Sequence, residues 1–253
     1  MKTAFITGTT AGFGKAIALR LAKLGYQVII TGRRKERLLE LAVTIRNQFE
    51  VDVLPLCFDI RDREACRLAV EKLPDNWRSI DILVNNAGLA SGSAPFNEFD
   101  IDDWEKMVDT NVKGLLYISR FITPLMVAAK SGHIINLSSI AGVEVYPNGN
   151  VYCATKHAVN AITKGMRIDL VQHNIKVSSI SPGAAETEFS MVRFHGDKTK
   201  ADAVYRGLTP LNAEDIADAV EYIVTRPPHV NINDIFITPV RQANNYIYNR
   251  SEK

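Results

Sequence analysis

The amino-acid sequence predicts an α/β fold in which a single doubly wound parallel sheet carries helices on both faces. Apolar segments of strand length alternate with segments of helical periodicity along the chain, which is the pattern of consecutive βα units. A glycine-rich turn follows the first predicted strand. The chain has 253 residues, of which 46% are hydrophobic, enough for one sizeable core or two small ones. Because no linker-like segment or repeat divides the chain, we expect one domain over residues 1–253.

The N-terminal part of the chain contains four predicted strands and three predicted helices. The strands cover residues 3–7, 27–31, 51–58 and 82–84, and the helices cover residues 15–24, 35–49 and 63–72. Gly25 follows the first helix, at the position where glycine commonly ends a helix. The fourth strand leads directly into the segment Asn85-Asn86-Ala87-Gly88.

The C-terminal part continues the same alternation. A long helical region covers residues 102–130, with irregularities expected at Gly114 and Pro124. A strand around Ile134, a helix over 151–170 and a strand over 176–180 follow, and the last helix and strand cover 213–225 and 235–238. Residues 184–208 have poor periodicity. We interpret them as an insertion or lid, because long irregular loops are often functional.

Composition and charge argue against several classes of protein. The formal net charge is +2 and no block of like charges occurs, so we expect neither a nucleic-acid partner nor a membrane surface. No apolar run of bilayer length and no signal peptide are predicted. Neither the histidines nor the cysteines show metal-ligand spacing, so no metal is expected. The three cysteines also argue against a disulfide framework and favour a cytoplasmic location; they are Cys57, Cys66 and Cys153.

The turn after the first strand is typical of an anion site. A helix N-terminus presents free backbone N–H groups and the positive end of its dipole. The glycines allow a tight turn, a close approach of the backbone to a pyrophosphate, and close packing of helix on strand. A plain glycine-rich turn is the alternative, but the position in a first βαβ unit favours a dinucleotide site. The candidate cofactor residues of this turn are Gly8, Thr9, Thr10, Gly12, Phe13 and Gly14.

The end of the second strand indicates which dinucleotide the site takes. An NAD site would have an acidic residue here for the ribose hydroxyls, and residues 29–35 contain none. Arg33 and Arg34 instead suit a 2′-phosphate, which a guanidinium binds through two parallel hydrogen bonds. A solvated helix start is the alternative. However, cations at a helix N-terminus oppose the dipole, so we predict NADP(H) as the cofactor.

Three residues of the segment 139–156 have the chemistry to move a proton. Ser139 follows a buried strand, and Tyr152 and Lys156 lie four residues apart on a predicted helix, so they share a face. The Lys156 ammonium, together with a positive oxidised nicotinamide, would stabilise a tyrosinate and lower the pKa of the Tyr152 phenol. Ser139 would hold a substrate oxygen against that phenol. Carbonyl reduction with a nicotinamide needs such a proton donor.

Together these features resemble the short-chain dehydrogenase/reductase family over essentially the whole chain. The resemblance implies a single-domain, Rossmann-like fold. It also implies that Tyr152 is the catalytic acid/base, that Lys156 binds the nicotinamide ribose, and that Ser139, thirteen residues before the tyrosine, is the catalytic serine rather than Ser138. The motifs that carry it are Thr7-Gly8-xxx-Gly12-x-Gly14, Asn85-Asn86-Ala87-Gly88, Asn111, Ser139, Tyr152-xxx-Lys156 and Pro182-Gly183-xxx-Thr187.

The same resemblance implies roles for residues whose spacing alone indicates nothing. Asn111 is expected to keep a water in a proton relay. Asp59 and Asn86 are expected to flank the adenosine. The residues expected near the nicotinamide are Pro182, Gly183 and Thr187.

A narrower likeness lies in residues 31–38, 192–197 and 229–233. These segments resemble the NADP-dependent 3-hydroxy acid dehydrogenases, also called serine or allo-threonine dehydrogenases. The likeness implies oxidation of serine, L-allo-threonine, 3-hydroxyisobutyrate or 3-hydroxypropionate, reduction of the matching 3-oxo acids or semialdehydes, and a homotetramer. Arg193 is our candidate clamp for the substrate carboxylate. An exposed loop arginine is the alternative.

Two other functions remain open at this point. One is an NADPH-dependent reductase of other carbonyls, such as short ketones or 3-oxoacyl thioesters. A thioester on an acidic carrier would need a basic patch, and the segment 184–208 contains four candidates for one: Arg193, Lys198, Lys200 and Arg206. The other is a non-catalytic NADP-binding sensor or scaffold, which would not need the proton-transfer residues. The polar tail over 241–253 matches no motif.

Overall fold

The computed structural model describes residues 1–251 and contains a seven-stranded parallel sheet in the order β3-β2-β1-β4-β5-β6-β7. Helices cover both faces, so the predicted fold class is confirmed. The order reverses between β1 and β4, and a crevice at the carboxyl ends of such strands is where ligands bind in this fold. Residues 252 and 253, the end of the polar tail, lie outside the described residues. The strands are β1 Thr3–Ile6, β2 Gln27–Gly32, β3 Val53–Cys57, β4 Ile82–Asn85, β5 Gly132–Leu137, β6 Ile175–Pro182 and β7 Asp234–Ile237.

The predicted helices are present, with ends that differ by a few residues. The segment 184–208 is less irregular than its sequence indicates, because it contains two short helices. Five and eight residues are too few to show helical periodicity clearly. The helices are α1 Gly12–Lys23, α2 Lys35–Gln48, α3 Arg63–Glu71, α4 Ile101–Val108, α5 Leu115–Ala129, α6 Asn150–Leu170, α7 Phe189–Arg193, α8 Lys198–Tyr205 and α9 Ala213–Val224.

Each face of the sheet buries its own hydrophobic core. Successive residues of a strand point to opposite faces, so Ile6 packs with α1, α2 and α9, whereas Phe5 packs with α3, α5 and α6. Both side chains are fully buried. Because the strands are covered on both sides, they are nearly continuous apolar runs. Polar residues therefore stand out where each strand ends.

The predicted helical region 102–130 consists of α4, a π-helical turn over Asp109–Gly114, and α5. The irregularity predicted at Gly114 is present. A β-carbon there would lie 2.9 Å from the Ile60 side chain, so the helix passes too close to this loop for a larger residue. Pro124 lies inside α5 without ending it. Single π-helical turns are often found at functional sites.

The stretch Ile101–Ala129 is, by length and composition alone, long and apolar enough to cross a membrane. This finding differs from the sequence analysis, which predicts no apolar segment of bilayer length. A core helix meets the same criterion, and α5 places Ile118, Ile122 and Met126 in the core on one face of the sheet. The apolar content of α5 is therefore explained in part by its packing against the sheet.

Buried amides attach α6 to the sheet. Asn136, near the end of β5, is fully buried, and its Nδ2 donates to Thr163 Oγ1 of α6 at 2.8 Å. Its Oδ1 accepts from Asn85 Nδ2 of β4 at 2.8 Å. Asn85 Nδ2 also donates to Ser119 Oγ of α5 at 2.9 Å. This network fixes two helices against adjacent strands, and α6 carries Tyr152 and Lys156.

Replacing Asn136 by alanine tests this network. The change removes one of the two acceptors of Asn85 Nδ2 and the amide that donates to Thr163 Oγ1. We therefore expect the free energy of unfolding to fall by about 1–3 kcal/mol. Urea denaturation measures it. The matched control is Asn47→Ala on the exposed face of α2, for which a change within about 0.5 kcal/mol is expected. Equal effects of the two substitutions would contradict a stabilising role of the network.

Candidate active site

The crevice opens into a cavity of about 490 Å³ at the carboxyl ends of the strands. The first glycine-rich turn, the end of β2, the start of α6 and the segment after β6 form its walls. Most of the predicted site residues line it. They are Gly8, Thr10, Gly12, Phe13, Arg33, Arg34, Asp59, Asn86, Ser139, Tyr152, Lys156, Pro182, Gly183, Thr187 and Arg193.

The glycine-rich turn packs too tightly for larger residues. Gly8 has φ +71°, and a β-carbon there would lie 2.9 Å from the Ala87 backbone. At Gly14 a β-carbon would lie 2.3 Å from the Gly8 carbonyl oxygen. Asn86 Nδ2 donates to the carbonyl oxygens of Thr7 and Gly8 at 2.8 and 3.0 Å, which joins this turn to the loop after β4. Asn86 thus orders the turn as well as lining the cavity.

The N-terminus of α1 is open to an anion. Ala11 occupies the N-cap position without a side-chain hydrogen bond, and the first turn contains no acidic residue. Helices usually satisfy their first N–H groups with a capping side chain. Here those groups face the cavity at Gly12 and Phe13. The turn therefore fits a pyrophosphate.

Thr9 and Gly14 have a different position from the rest of this motif. Thr9 is fully buried, and its hydroxyl donates to the Thr31 carbonyl oxygen at 3.2 Å. Its side chain therefore ties the turn to β2 instead of facing the cavity. Gly14 is likewise buried and allows helix packing. Both residues shape the site without lining it.

The end of the cavity near β2 carries the predicted cations. Arg34 donates to Thr10 Oγ1 through Nε and Nη2 at 3.0 and 2.7 Å, and its Nη1 lies 2.8 Å from Glu188 Oε2. Arg37 Nη1 bonds the other oxygen of Glu188 at 2.6 Å. These guanidinium groups lower the pKa of the Glu188 carboxyl, mainly through the hydrogen bond from Arg34. Two arginines sharing one carboxylate mark a position where an anionic oxygen group is well coordinated.

Asp59 follows β3 at the same end. Burial raises the pKa of its carboxyl, but hydrogen bonds from Arg61 outweigh that and leave the pKa below its usual value. Arg61 Nη2 lies 2.6 Å from Asp59 Oδ2, and Arg33 Nη1 lies 3.6 Å from the same oxygen. The carboxylate is therefore ionised and held at the rim, beside Arg33.

The proton-handling residues meet at the opposite end. Lys156 is 6% exposed, and its Nζ donates to the Leu137 carbonyl oxygen at 2.9 Å, where β5 ends. Nζ lies 5.9 Å from the centroid of the Tyr152 ring, one helical turn earlier on α6. The Tyr152 ring also meets Phe189 of α7 edge-on, with centroids 5.7 Å apart. The phenol thus lies between the sheet and the segment after β6.

The protonation states differ from the simple expectation. Burial raises the pKa of the Tyr152 phenol above its ordinary value, Tyr146 raises it further, and the Ser139 hydroxyl and Arg193 lower it. Burial lowers the pKa of the Lys156 ammonium to about 8. In the protein alone, the cost of burying a phenolate thus outweighs the groups that lower this pKa, and the lowering by Lys156 together with the oxidised nicotinamide stays a prediction. Near pH 7 the phenol holds its proton and the ammonium remains largely charged.

The two adjacent serines face different ways. Ser139 is partly exposed in the cavity and accepts a hydrogen bond from Ala141 N at 3.1 Å, at the start of a short 3₁₀ turn. Ser138 is buried and donates to the Lys156 carbonyl oxygen at 3.4 Å. Ser139 Oγ is also 3.4 Å from the Pro182 carbonyl oxygen. Both serines line the cavity, and Ser139 has the more exposed side chain; its contact with a substrate stays a prediction.

Asn111 lies behind the cavity wall, inside the π-helical turn. Its Nδ2 donates to the Leu89 carbonyl oxygen and to Thr155 Oγ1 at 2.8 and 3.0 Å, and its Oδ1 accepts from Leu89 N at 2.8 Å. The whole side-chain amide thus holds the loop after β4 against α6. A β-carbon at Gly88 would lie 3.3 Å from Asn111 Oδ1 and 3.6 Å from Lys156 Nζ, so the two side chains are near neighbours. The proton relay stays a prediction.

Arg193 ends α7 and reaches the cavity beside Tyr146. Its Nη1 donates to the Tyr146 hydroxyl at 3.1 Å, and its guanidinium lies 5.5 Å from the centroid of that ring. Aromatic and amide side chains that sequence reasoning did not select complete this end of the cavity. Three of them come from the polar tail, whose Asn and Gln content is its one signal in the sequence. The additional residues are Tyr146, Phe189, Tyr205, Gln242, Asn245 and Tyr248.

The glycine turn, the buried lysine and the tyrosine one turn before it define the class of this protein, and comparison with known proteins agrees. The family model described as short chain dehydrogenase matches residues 2–198. The chain belongs to this family and is an oxidoreductase of the short-chain dehydrogenase/reductase type.

Particular relatives cover nearly the whole chain. A probable NADP-dependent dehydrogenase of Haemophilus influenzae is 48% identical over 95% of this chain and 94% of its own length. The NADP-dependent 3-hydroxy acid dehydrogenase YdfG of Salmonella typhi is 46% identical over 94% of this chain and 95% of its own. The closed form of a serine dehydrogenase complexed with NADP⁺ superposes with a TM-score of 0.91 at 43% identity, covering 99% of this chain and 100% of that one.

Proposed function

We propose that this protein is an NADP-dependent oxidoreductase that interconverts short 3-hydroxy acids with their 3-oxo acids or semialdehydes. The observation that carries the proposal is one cavity with cations at both ends and an acid/base group between them. Arg33 and Arg34 lie at one end, Arg193 lies at the other, and Tyr152 and Lys156 lie between. Its substrates are of the class of serine, L-allo-threonine, 3-hydroxyisobutyrate and 3-hydroxypropionate.

NADP(H) fits the residues of the cavity. The uncapped start of α1 suits the pyrophosphate, and Arg33 and Arg34 suit the 2′-phosphate. Asp59 and Asn86 flank the adenosine, and Pro182, Gly183 and Thr187 lie toward the nicotinamide. When bound, the cofactor supplies or accepts the hydride. The NADP dependence of the relatives supports this choice.

Tyr152 moves the proton. Because its pKa is raised, the phenol is protonated at neutral pH and donates to the substrate oxygen during reduction. Ser139 holds that oxygen. During oxidation the phenolate form of Tyr152 must accept the proton of the substrate hydroxyl, and the Lys156 ammonium one turn away stabilises that phenolate. Asn111 supports this arrangement by fixing the loop beside Lys156.

Arg193 binds the substrate carboxylate. Its guanidinium lies at the substrate end of the cavity, and the hydrogen bond from Nη1 to the Tyr146 hydroxyl already orients the group. A charge-assisted pair with a carboxylate is strong in a partly enclosed site. The relatives named for serine and for 3-hydroxy acids have carboxylate substrates, which supports this assignment.

The thioester alternative is less well supported. A carrier-bound substrate would need the basic residues of the segment 184–208 to be free. Lys198 pairs with Asp202 at 2.6 Å, and Lys200 pairs with Asp197, the N-cap residue of α8, at 3.2 Å. Each of these two lysines therefore already has a carboxylate partner. The small-molecule substrate is therefore favoured over a carrier protein.

A homotetramer in the cytoplasm completes the proposal. Apolar side chains stand exposed on the helices that flank the site, with Leu116 of α5 at 41%, Ile168 of α6 at 74% and Val171 just after α6 at 69%. Exposed apolar surface of this kind favours association between copies of the chain. The segment 184–208 acts as the lid of each subunit.

Tyr152→Phe removes the phenolic proton and leaves the ring. We expect kcat to fall by about 10²–10⁴-fold, the usual range for general acid/base catalysis, while the Kd for NADP stays within about threefold. Initial rates of NADP reduction and fluorescence titration measure the two quantities. The control is Tyr222→Phe on the exposed face of α9, which should keep full activity. Activity surviving in the Tyr152 variant would remove the proposed acid/base.

Arg34→Gln tests the 2′-phosphate site. Losing a charge-assisted contact of about 1.5–3 kcal/mol should weaken NADP binding by about 10–100-fold, and the Kd for NAD should hardly change. Calorimetry with both nucleotides measures the difference. Arg63→Gln, an exposed residue at the start of α3, is the matched control. Equal losses for NADP and NAD would show that Arg34 does not read the phosphate.

Arg193→Ala tests the carboxylate clamp. We expect KM for a 3-hydroxy acid to rise by about 10–100-fold through the loss of one charged contact. KM for an uncharged alcohol of similar size should stay the same. Steady-state kinetics with both substrates measure the contrast, with Lys198→Ala as the control for charge in the same segment. An unchanged KM for the hydroxy acid would eliminate the clamp.

A further inference from the structure

Asp103 is a buried carboxylate that the proposed chemistry does not use. It lies on α4, is 4% exposed, and has hydrogen-bond donors on both oxygens. Oδ1 accepts from Ser91 Oγ at 2.6 Å and from Lys106 Nζ at 3.2 Å. Oδ2 lies 3.0 Å from His195 Nε2. The last contact crosses from the body of the domain to the segment 184–208.

The backbone around this contact is shaped to make it. His195 has φ +52°, in the left-handed region that residues other than glycine rarely adopt. Such a conformation persists where neighbouring contacts hold it. Gly92 faces the carboxylate from the other side, and a β-carbon there would lie 2.8 Å from Asp103 Oδ2. The loop after β4, α4 and the end of α7 therefore interlock around one carboxylate.

The interlock continues directly to Arg193. Gly92 N donates to the Arg193 carbonyl oxygen at 2.8 Å, and Arg193 Nε lies 3.4 Å from the Gly92 carbonyl oxygen. Only Phe194 separates Arg193 from His195, so fixing one restricts the other. Gly92 thus holds the backbone and Nε of Arg193, and the Tyr146 hydroxyl holds the end of its guanidinium.

We propose that Asp103 and His195 form a latch that holds the segment 184–208 against α4 and thereby positions Arg193 in the substrate end of the cavity. Both are positioning residues. The latch acts on recognition of the carboxylate and not on cofactor binding or proton transfer. Its effect on substrate affinity rests on the proposed role of Arg193.

Charge and burial explain why this pair suits a latch. Burial raises the pKa of the Asp103 carboxyl, but hydrogen bonds from Ser91 and Lys106 and the nearby His195 bring it below its usual value. The carboxylate is thus ionised in the closed arrangement. His195 has a side chain that is 57% exposed, so the segment can separate from Asp103 without opening the core. Ser91 and Lys106 would remain as donors after the separation.

The experiment compares Asp103→Asn and His195→Ala with His195→Gln, which keeps a side-chain N–H donor and adds no trypsin site, and with the exposed neighbour Asp102→Asn as control. The first readout is the rate of trypsin cleavage after Arg193, Lys198 and Lys200 in the full-length protein without cofactor. We expect Asp103→Asn and His195→Ala to accelerate cleavage by about tenfold or more. His195→Gln and Asp102→Asn should be cleaved at the rate of the unaltered protein.

The second readout separates positioning from folding. Asp103→Asn and His195→Ala should raise KM for a 3-hydroxy acid by about tenfold and leave KM for an uncharged alcohol and Kd for NADP unchanged. In His195→Gln the KM for the hydroxy acid should stay near that of the unaltered protein. If Asp103→Asn fails to fold, His195→Ala carries the test, since its side chain is largely exposed. Unchanged cleavage in a folded variant overturns the latch.

The outcomes also distinguish this inference from the clamp itself. Faster cleavage with an unchanged KM, in a protein where Arg193→Ala does raise KM, overturns the positioning of Arg193. If Arg193→Ala leaves KM unchanged, the clamp fails, and the cleavage rates alone then decide whether the latch exists. Equal effects of His195→Ala and His195→Gln would overturn the role of the side-chain hydrogen bond to Asp103.

Discussion

The hydrogen bond from the Lys156 ammonium to the Leu137 carbonyl oxygen is the constraint on which the site depends. A buried ammonium is costly unless it has a partner, and here the partner is the last residue of β5. The bond fixes the rotation of α6 relative to the sheet. Tyr152, one turn earlier, must then face the crevice, and Ser139, two residues after Leu137, must lie beside it. The Asn85–Asn136–Thr163 network also holds α6 against the sheet, through hydrogen bonds to β4 and β5.

The cavity combines two anion sites with a neutral acid between them. At the end near β2, an uncapped helix start and arginines provide positive charge, and Glu188 and Asp59 balance part of it. At the other end, Arg193 provides the positive charge and lies beside the Tyr146 ring. Burial raises the pKa of the central phenol and lowers that of the lysine. The protein alone is therefore prepared to donate a proton to a bound carbonyl.

Features that depend on neighbouring residues in the chain were predictable. Strand and helix alternation, the glycine turn and the Tyr152–Lys156 pair follow from periodicity and spacing, and the structure brings them together. Contacts between distant segments were not predictable. Asp103 meets His195 from 92 positions away, and the tail residues Gln242, Asn245 and Tyr248 reach the cavity through loop packing alone. Thr9 belongs to the glycine-rich motif, but its hydroxyl donates to the Thr31 carbonyl oxygen of β2 instead of facing the cavity.

We propose that one cavity joins an NADP site to a hydroxy acid site. Initial rates measured in one panel can decide this, pairing NADP and NAD with serine, L-allo-threonine, 3-hydroxyisobutyrate and uncharged alcohols of matched length. We expect rapid reduction of NADP by 3-hydroxy acids, with much lower rates for NAD and for the alcohols. Equal rates for acids and alcohols, or a preference for NAD, would contradict it.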